Sequence, residues 1–154
     1  MSGADRAADI ASNRRAFHEY FVLERLEAGI VLVGTEVKAL RAGRINLRDG
    51  FVRVDGTGAW LESVHISQYE QGNINNHEPT RARRLLLHRR ELSWLVGKVR
   101  QQGITLIPLR VYFSGRRIKV ELGLCKGKKL YDKRASLREA EARREIDRVL
   151  KSRR

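Results

Sequence analysis

The chain reads as a mainly β protein with helices, built as a small closed antiparallel β-barrel that hands over to a basic C-terminal tail. Three observations predict this. Short runs that alternate apolar and polar residues, or are rich in β-branched and aromatic ones, are separated by turn signals. A single substantial helical pattern precedes the last hairpin. Half of the excess positive charge falls on the last 29 residues, where 12 Lys/Arg face 5 Asp/Glu. Residues 1–9 read as a flexible leader, 10–125 as the body, and 126–154 as the tail. A two-sheet sandwich is the alternative architecture for the body.

Taken in order, Tyr20–Val33 is dense in β-branched and aromatic residues, with Glu27-Ala28-Gly29 as its turn signal. It predicts two strands, or one strand bent at Gly29. Thr35–Arg41 has helical spacing, with Val37, Leu40 and Ala39 facing inward, and Gly34 and Gly43 bracket it. Phe51–Val54 and Ala59–Ile66 flank Asp55-Gly56-Thr57-Gly58, a hairpin signal. From Ser67 to Arg84 periodicity fails and a long polar loop is expected.

His88–Gln102 is the clearest helix of the body, because Leu92, Leu95, Val96 and Val99 repeat at helical intervals and Gly103 stops it. Ile104–Phe113 and Ile118–Leu124 then form a hairpin across Ser114-Gly115. In its second strand Ile118, Val120, Leu122 and Leu124 face a core while Lys119 and Glu121 face away. Such strands and twist-permitting glycines resemble the oligonucleotide-binding fold. In the tail, Ser136 opens a capping box, Ser-Leu-Arg-Glu. Few large apolar residues follow it, and an isolated helix of about fifteen residues is marginal in water. The tail is expected to be disordered when free and helical once phosphate matches its charges.

Composition narrows function. The 154 residues carry 32 Lys+Arg against 18 Asp+Glu, a formal net charge of +14. Self-repulsion of that size destabilises a compact state, and a polyanionic partner is the simplest reason for it to persist. Arg outnumbers Lys, and guanidinium offers both a phosphate fork and a flat stacking face. One cysteine, Cys125, excludes an internal disulfide or a multi-cysteine zinc site and suits a reducing cytosol. Met1–Asn13 has no apolar signal core, and a soluble cytoplasmic protein is expected.

No catalytic constellation stands out. His18, His65, His77 and His88 lack metal spacing, Cys125 ends an apolar strand and reads as buried, and Gly127-Lys128 lacks the Walker pattern. No metal, no cofactor and no enzymatic activity are expected. A small nuclease using the histidines and Glu27 is the competing enzymatic reading, and a resident ribosomal protein the competing structural one. Lys119 lies on the free face of its strand, where it meets phosphate or plain solvent. Lys126, Lys128 and Lys129 suit phosphate anchoring, which sets register without reading sequence. Tyr131 among them suits base stacking. Phe17 and Tyr20 are expected in the core.

Six ordered blocks resemble one family. They are Asn13-Arg14-Arg15-Ala16-Phe17-His18-Glu19-Tyr20, Glu27-Ala28-Gly29-Ile30, Gly34–Gly43, His77-Glu78-Pro79-Thr80-Arg81, Leu85-Leu86-Leu87-His88, and Gly127-Lys128-Lys129 with Tyr131-Asp132-Lys133-Arg134. Together they resemble the SsrA-binding proteins, the small protein B family, from about residue 10 to the C-terminus. The resemblance implies a non-catalytic partner of transfer-messenger RNA (SsrA RNA) that grips its transfer-RNA-like domain. It also implies delivery to a stalled 70S ribosome, where the tail occupies the 16S decoding centre and the empty message channel so that the nascent peptide is tagged. By the same resemblance Asn13, Arg14, Arg15, His18 and Glu27 belong to the RNA-facing surface. Tyr131, Asp132, Lys133 and Arg134 then belong to the decoding centre, and Arg138, Arg143, Arg144 and Arg148 to the message channel. A monomer with no membrane partner is implied.

Overall fold

The computed structural model describes residues 9–68, 76–128 and 130–152; for 130–136 and 151–152 only the backbone is described. The elements follow as β1 (Asp9–Ser12), α1 (Arg14–Glu19), β2 (Tyr20–Ile30), α2 (Gly34–Arg41), β3 (Ile45–Asn46), β4 (Phe51–Asp55) and β5 (Gly58–Glu62). Then come β6 (His65–Ile66), β7 (Arg83–Leu86), α3 (Arg89–Val99), β8 (Ile104–Ser114), β9 (Arg117–Gly127) and α4 (Leu130–Ser152). Among the described residues, seven strands form one antiparallel sheet in the order β1-β8-β9-β2-β7-β5-β4, and β3 and β6 form a separate ladder.

The mainly β, antiparallel expectation holds, but the closed barrel does not. β1 and β4 stand at the two ends of the sheet and do not pair, although β4 lies close to β8. The reason is local. Past Arg110 the outer edge of β8 contains Pro108, which has no N–H to donate to a neighbouring strand. Its acceptors are instead taken by Asn13, whose N–H donates to the Leu109 carbonyl at 2.7 Å and whose Nδ2 donates to the Pro108 carbonyl at 3.0 Å. The same Nδ2 donates to the Leu47 carbonyl at 3.2 Å, so one side chain ties the β8 edge to the turn before β4. Gly50 completes that approach, since a Cβ there would lie 2.6 Å from Val64 and 2.9 Å from Pro108.

The sheet curves around one core. Ala28, Val52, Leu61, Leu85, Leu106, Val111, Val120 and Leu122 from six strands meet Ala39 and Leu40 of α2 and Leu95 of α3, all buried. A second, smaller cluster lies under α1, where Ala16, Ile107, Leu109 and Cys125 are buried beside Tyr20 and Val22. Leu109 reaches over Gly123, where a Cβ would lie 2.8 Å from its Cδ1.

Several boundaries follow the sequence for the expected reasons. Glu36 and Glu91 accept from the backbone N–H of Val33 and His88 at 2.9 and 3.0 Å, fixing the starts of α2 and α3. Asp55 accepts from the backbone N–H groups of Thr57 and Gly58, closing the β4–β5 turn. Gly103, at φ +80°, ends the α3 region.

Other boundaries differ. β2 is one strand and its irregularity is a bulge between Val22 and Glu24, not a bend at Gly29. Gly29 serves close approach instead, because a Cβ there would lie 3.2 Å from Leu86 across the β2–β7 pair. The run expected as one strand to Ile66 breaks at Ser63, whose φ of +58° turns the chain into β6. β9 continues through Lys126 to Gly127, and α4 starts at Leu130, ahead of the Ser136 capping box. Of the long polar loop, residues 69–75 lie outside the described residues, as does most of the leader.

The segment after that loop is pinned. Glu36 has no exposed surface and accepts from Arg83 Nε and Arg81 Nη2, both at 2.5 Å. Arg83, equally buried, also donates to the carbonyls of Val64 and Pro79 at 2.6 and 2.9 Å. His77 pairs through Nδ1 with the Thr35 hydroxyl at 2.8 Å and through Nε2 with the Ile66 carbonyl at 2.9 Å. This polar knot fixes where β7 enters the sheet.

Candidate nucleic-acid interface

Two clusters of polar side chains form on opposite ends of the β2–β9 pair. Cross-strand register sets the separation: Tyr20 faces Gly127 at one end and Gly29 faces Lys119 at the other. At about 3.3 Å per residue, the ends lie roughly 30 Å apart.

At the Gly29 end, a cleft of about 960 Å³ opens between β2, β7, the start of α3 and the β8–β9 turn. Glu27, Lys119, Arg116, Arg117 and His88 line it with Leu86. The bare Gly29 backbone and an exposed Leu86 shape one wall. Gly115, at φ +61°, lets the two-residue hairpin loop turn and sets Arg116 and Arg117 on the rim. Glu27 is exposed, and the Tyr112 hydroxyl donates to its Oε2. Burial first, then the Glu27 carboxylate, pushes the Tyr112 phenol well above its ordinary range, so it stays a donor. The cleft thus offers the Glu27 and Glu91 carboxylates among cations, Glu27 held by Tyr112 and Glu91 by the His88 N–H, a donor and acceptor set that fits RNA better than a bare phosphate site would.

At the other end, α1 packs over the sheet and carries Arg14, exposed, and His18, half-buried. Lys128 joins the two elements, its backbone N–H donating to the Glu19 carbonyl at 2.8 Å and its Nζ to the Phe17 carbonyl at 3.1 Å. Arg15 pairs with Glu19 at 2.9 Å and Asp49 at 3.0 Å, and these acids hold its guanidinium above the ordinary value. Between the two ends, Glu121 accepts from Arg25 at 3.2 Å and from Arg110 at 3.1 Å, and Asp9 accepts from Arg110 at 2.7 Å, so two acids balance two arginines along that stretch.

The structure therefore places Glu27 and Lys119 in one cleft, and sets Arg14, Arg15 and His18 on the helix that leads into the end of the β2–β9 pair where Lys126 and Lys128 lie. Asn13 is set apart. It is 3% exposed, caps α1 by accepting from the Ala16 N–H at 3.2 Å, and spends its amide hydrogens inside the protein. Lys129 lies outside the described residues. Tyr131, Asp132, Lys133 and Arg134 fall on the first turns of α4, and Arg138, Arg143, Arg144 and Arg148 are exposed along it.

Sequence reasoning missed Arg116, Arg117, Leu86, His88 and Tyr112. The two arginines directly after the Ser114-Gly115 turn and the Leu85–His88 block were the available signals; Tyr112 had none, being an ordinary strand residue until the sheet aligned it. Phe17 also departs from expectation, at 43% exposed instead of in the core. Cys125 is fully buried, and desolvation pushes its thiol up to about 11.

Comparison with known proteins decides the family, because the SmpB protein family model matches residues 10–152, the body and the arm together. The chain belongs to this family. Similar relatives include the SsrA-binding protein of Carboxydothermus hydrogenoformans, 56% identical over 144 residues, covering 94% of this chain and 97% of that protein. The SsrA-binding protein of Roseiflexus sp. (strain RS-1) is 57% identical over 152 residues, covering 98% and 96%. Among solved structures, a chain from "tmRNA-SmpB: a journey to the center of the bacterial ribosome" superposes with a TM-score of 0.68 at 50% identity. It covers 80% of this chain and 87% of that one.

Proposed function

We propose that this protein is a non-catalytic RNA-binding factor of ribosome rescue. It binds transfer-messenger RNA at its transfer-RNA-like domain and enters stalled ribosomes with it, so that the nascent chain is tagged and the ribosome freed. The observation that carries this reading is end-to-end similarity, body and arm alike, to proteins named for binding SsrA RNA. The cleft suits the task chemically. Lys119, Arg116 and Arg117 meet phosphate, while Glu27, held by Tyr112, accepts from base amino groups that phosphate-only recognition would ignore. Arg14, Arg15, His18, Lys126, Lys128 and Lys129 form a second RNA-contacting group where the arm leaves the body. Asn13 supports that group by holding α1 against β8.

The arm, from Tyr131, Asp132, Lys133 and Arg134 through Arg138, Arg143, Arg144 and Arg148, takes the decoding centre and message channel. Its exposed charge needs a polyanion, and ribosomal RNA supplies one. Work on a ribosome places the protein in the cytoplasm, and among the described residues no helix is long and apolar enough to cross a membrane. The test removes residues 131–154. Binding of transfer-messenger RNA by the truncated chain is expected to persist within a few-fold while tagging of stalled products is lost. Loss of RNA binding on truncation refutes the division between body and arm.

A further inference from the structure

We propose that Phe17 and Phe21 form a stacking platform for unpaired nucleobases of RNA, at the point where the basic arm leaves the body. The inference rests on the functional reading above and adds a site to it. Phe17 and Phe21 are 43% and 44% exposed. Exposure of single apolar residues decides nothing by itself. Each of these rings carries a cation, and both stand at the base of the arm. The Lys128 ammonium lies 5.1 Å from the centre of the Phe21 ring and donates to the Phe17 carbonyl at 3.1 Å, while the Arg25 guanidinium lies 5.4 Å from the centre of the Phe17 ring. Each ring therefore has a positive group against it, and the ammonium beside Phe21 also holds the backbone carbonyl of Phe17.

Charge complementarity commits the occupant. Phe21 stands directly across from Lys126 in the β2–β9 register, and Arg14 is exposed on the same helix as Phe17. A base laid on either ring brings its own phosphate to within reach of these cations, so stacking and neutralisation act on one nucleotide. Paired bases hide their faces in the helix stack, and only unpaired ones can use such a ring. Stacking also tolerates any base, which suits a factor that anchors RNA beside its arm without reading sequence there. The β2 bulge between Val22 and Glu24 sits immediately after Phe21, and such irregularities re-aim side chains at sheet ends.

The experiment uses the full-length chain and its Phe17→Leu, Phe21→Leu and double-leucine variants. Binding is read by fluorescence anisotropy with a labelled oligoadenylate of about twelve nucleotides, the same strand with abasic sites, and a transfer-RNA-like fragment of transfer-messenger RNA. Each leucine substitution is expected to weaken oligoadenylate binding about tenfold, the size of one lost stack. Tryptophan at the same positions is expected to restore it, and the abasic strand is expected to bind weakly and to ignore the leucine changes. Unchanged oligoadenylate affinity in the double variant, or an abasic strand that binds as tightly as oligoadenylate, overturns the proposal while leaving the functional reading intact. Loss of binding to phosphatidylglycerol vesicles with oligoadenylate binding unaffected reassigns the rings to a lipid surface and overturns it too. An intact chain that fails to bind the transfer-RNA-like fragment overturns the functional reading, and this proposal with it.

Discussion

Replacing Glu36 by Gln probes the polar knot that fixes β7 and hence one wall of the cleft. The carboxylate is fully buried and accepts three bonds, from Arg83 Nε and Arg81 Nη2 at 2.5 Å each and from the Val33 N–H at 2.9 Å. Gln keeps the shape but removes the charge and presents an N–H₂ to one of the arginine donors. Its cost is set by the partner left behind, since Arg83 has no exposed surface and cannot regain water. Breaking a buried pair from one side costs about 3–5 kcal/mol. Arg83 retains the Val64 and Pro79 carbonyls, which places the value near the lower end, about 3 kcal/mol. For a chain of this size that lowers Tm by roughly 6–12 °C.

Burial pushes the Glu36 carboxyl up, but hydrogen bonds from Arg81, the Val33 N–H and Arg83 outweigh it and hold it below its ordinary 4.5. A carboxyl held lower in the folded state contributes stability that is complete above its ordinary value and is lost as pH falls. The deficit of the Gln variant is therefore expected to shrink below about pH 4.5. Urea denaturation followed by circular dichroism, in acid and at neutral pH, measures both quantities. A cost under about 1 kcal/mol, the range of exposed pairs, refutes the reasoning, as does a deficit that stays constant into acid.

Tyr112→Phe removes the donor to Glu27 while leaving a ring for Arg110, whose guanidinium lies 4.2 Å from the Tyr112 centroid. Stability is expected to fall by about 1 kcal/mol and affinity for the transfer-RNA-like fragment several-fold; equal affinities remove Tyr112 from the site. Cys125 is expected to resist a thiol-reactive disulfide reagent in the native protein near neutral pH and to react at once on unfolding, since burial raises its thiol from 9.0 to about 11. The folded thiol binds its proton more tightly than the unfolded one, so stability is expected to fall as pH rises from 9.0 towards about 11, and Cys125→Ala flattens that slope.

Some of this protein was legible in its sequence because the signals are local. Helical spacing around Leu95, the glycines after α2 and α3, and the Asp55 and Gly115 turns each act within a few residues, and α2, α3 and both hairpins appeared where such signals place them. The charge excess pointed to a polyanion, and the ordered blocks from Asn13 to Arg134 pointed to the family. Tertiary structure decided the rest, because it depends on which distant segments meet. The helical spacing of α2 marks Val37, Ala39 and Leu40 as inward but gives no sign that Glu36 is buried, because its partner Arg83 lies 47 positions on. Asn13 looked like an RNA contact, yet the missing N–H of Pro108, 95 positions away, left carbonyls that its amide satisfies, and the sheet stayed open there. Phe17 read as core, but one turn of α1 needs only Ala16 to cover Cys125, and its ring was left beside Arg25 in solvent. Periodicity reports which face of an element is apolar. It does not report what arrives to cover that face.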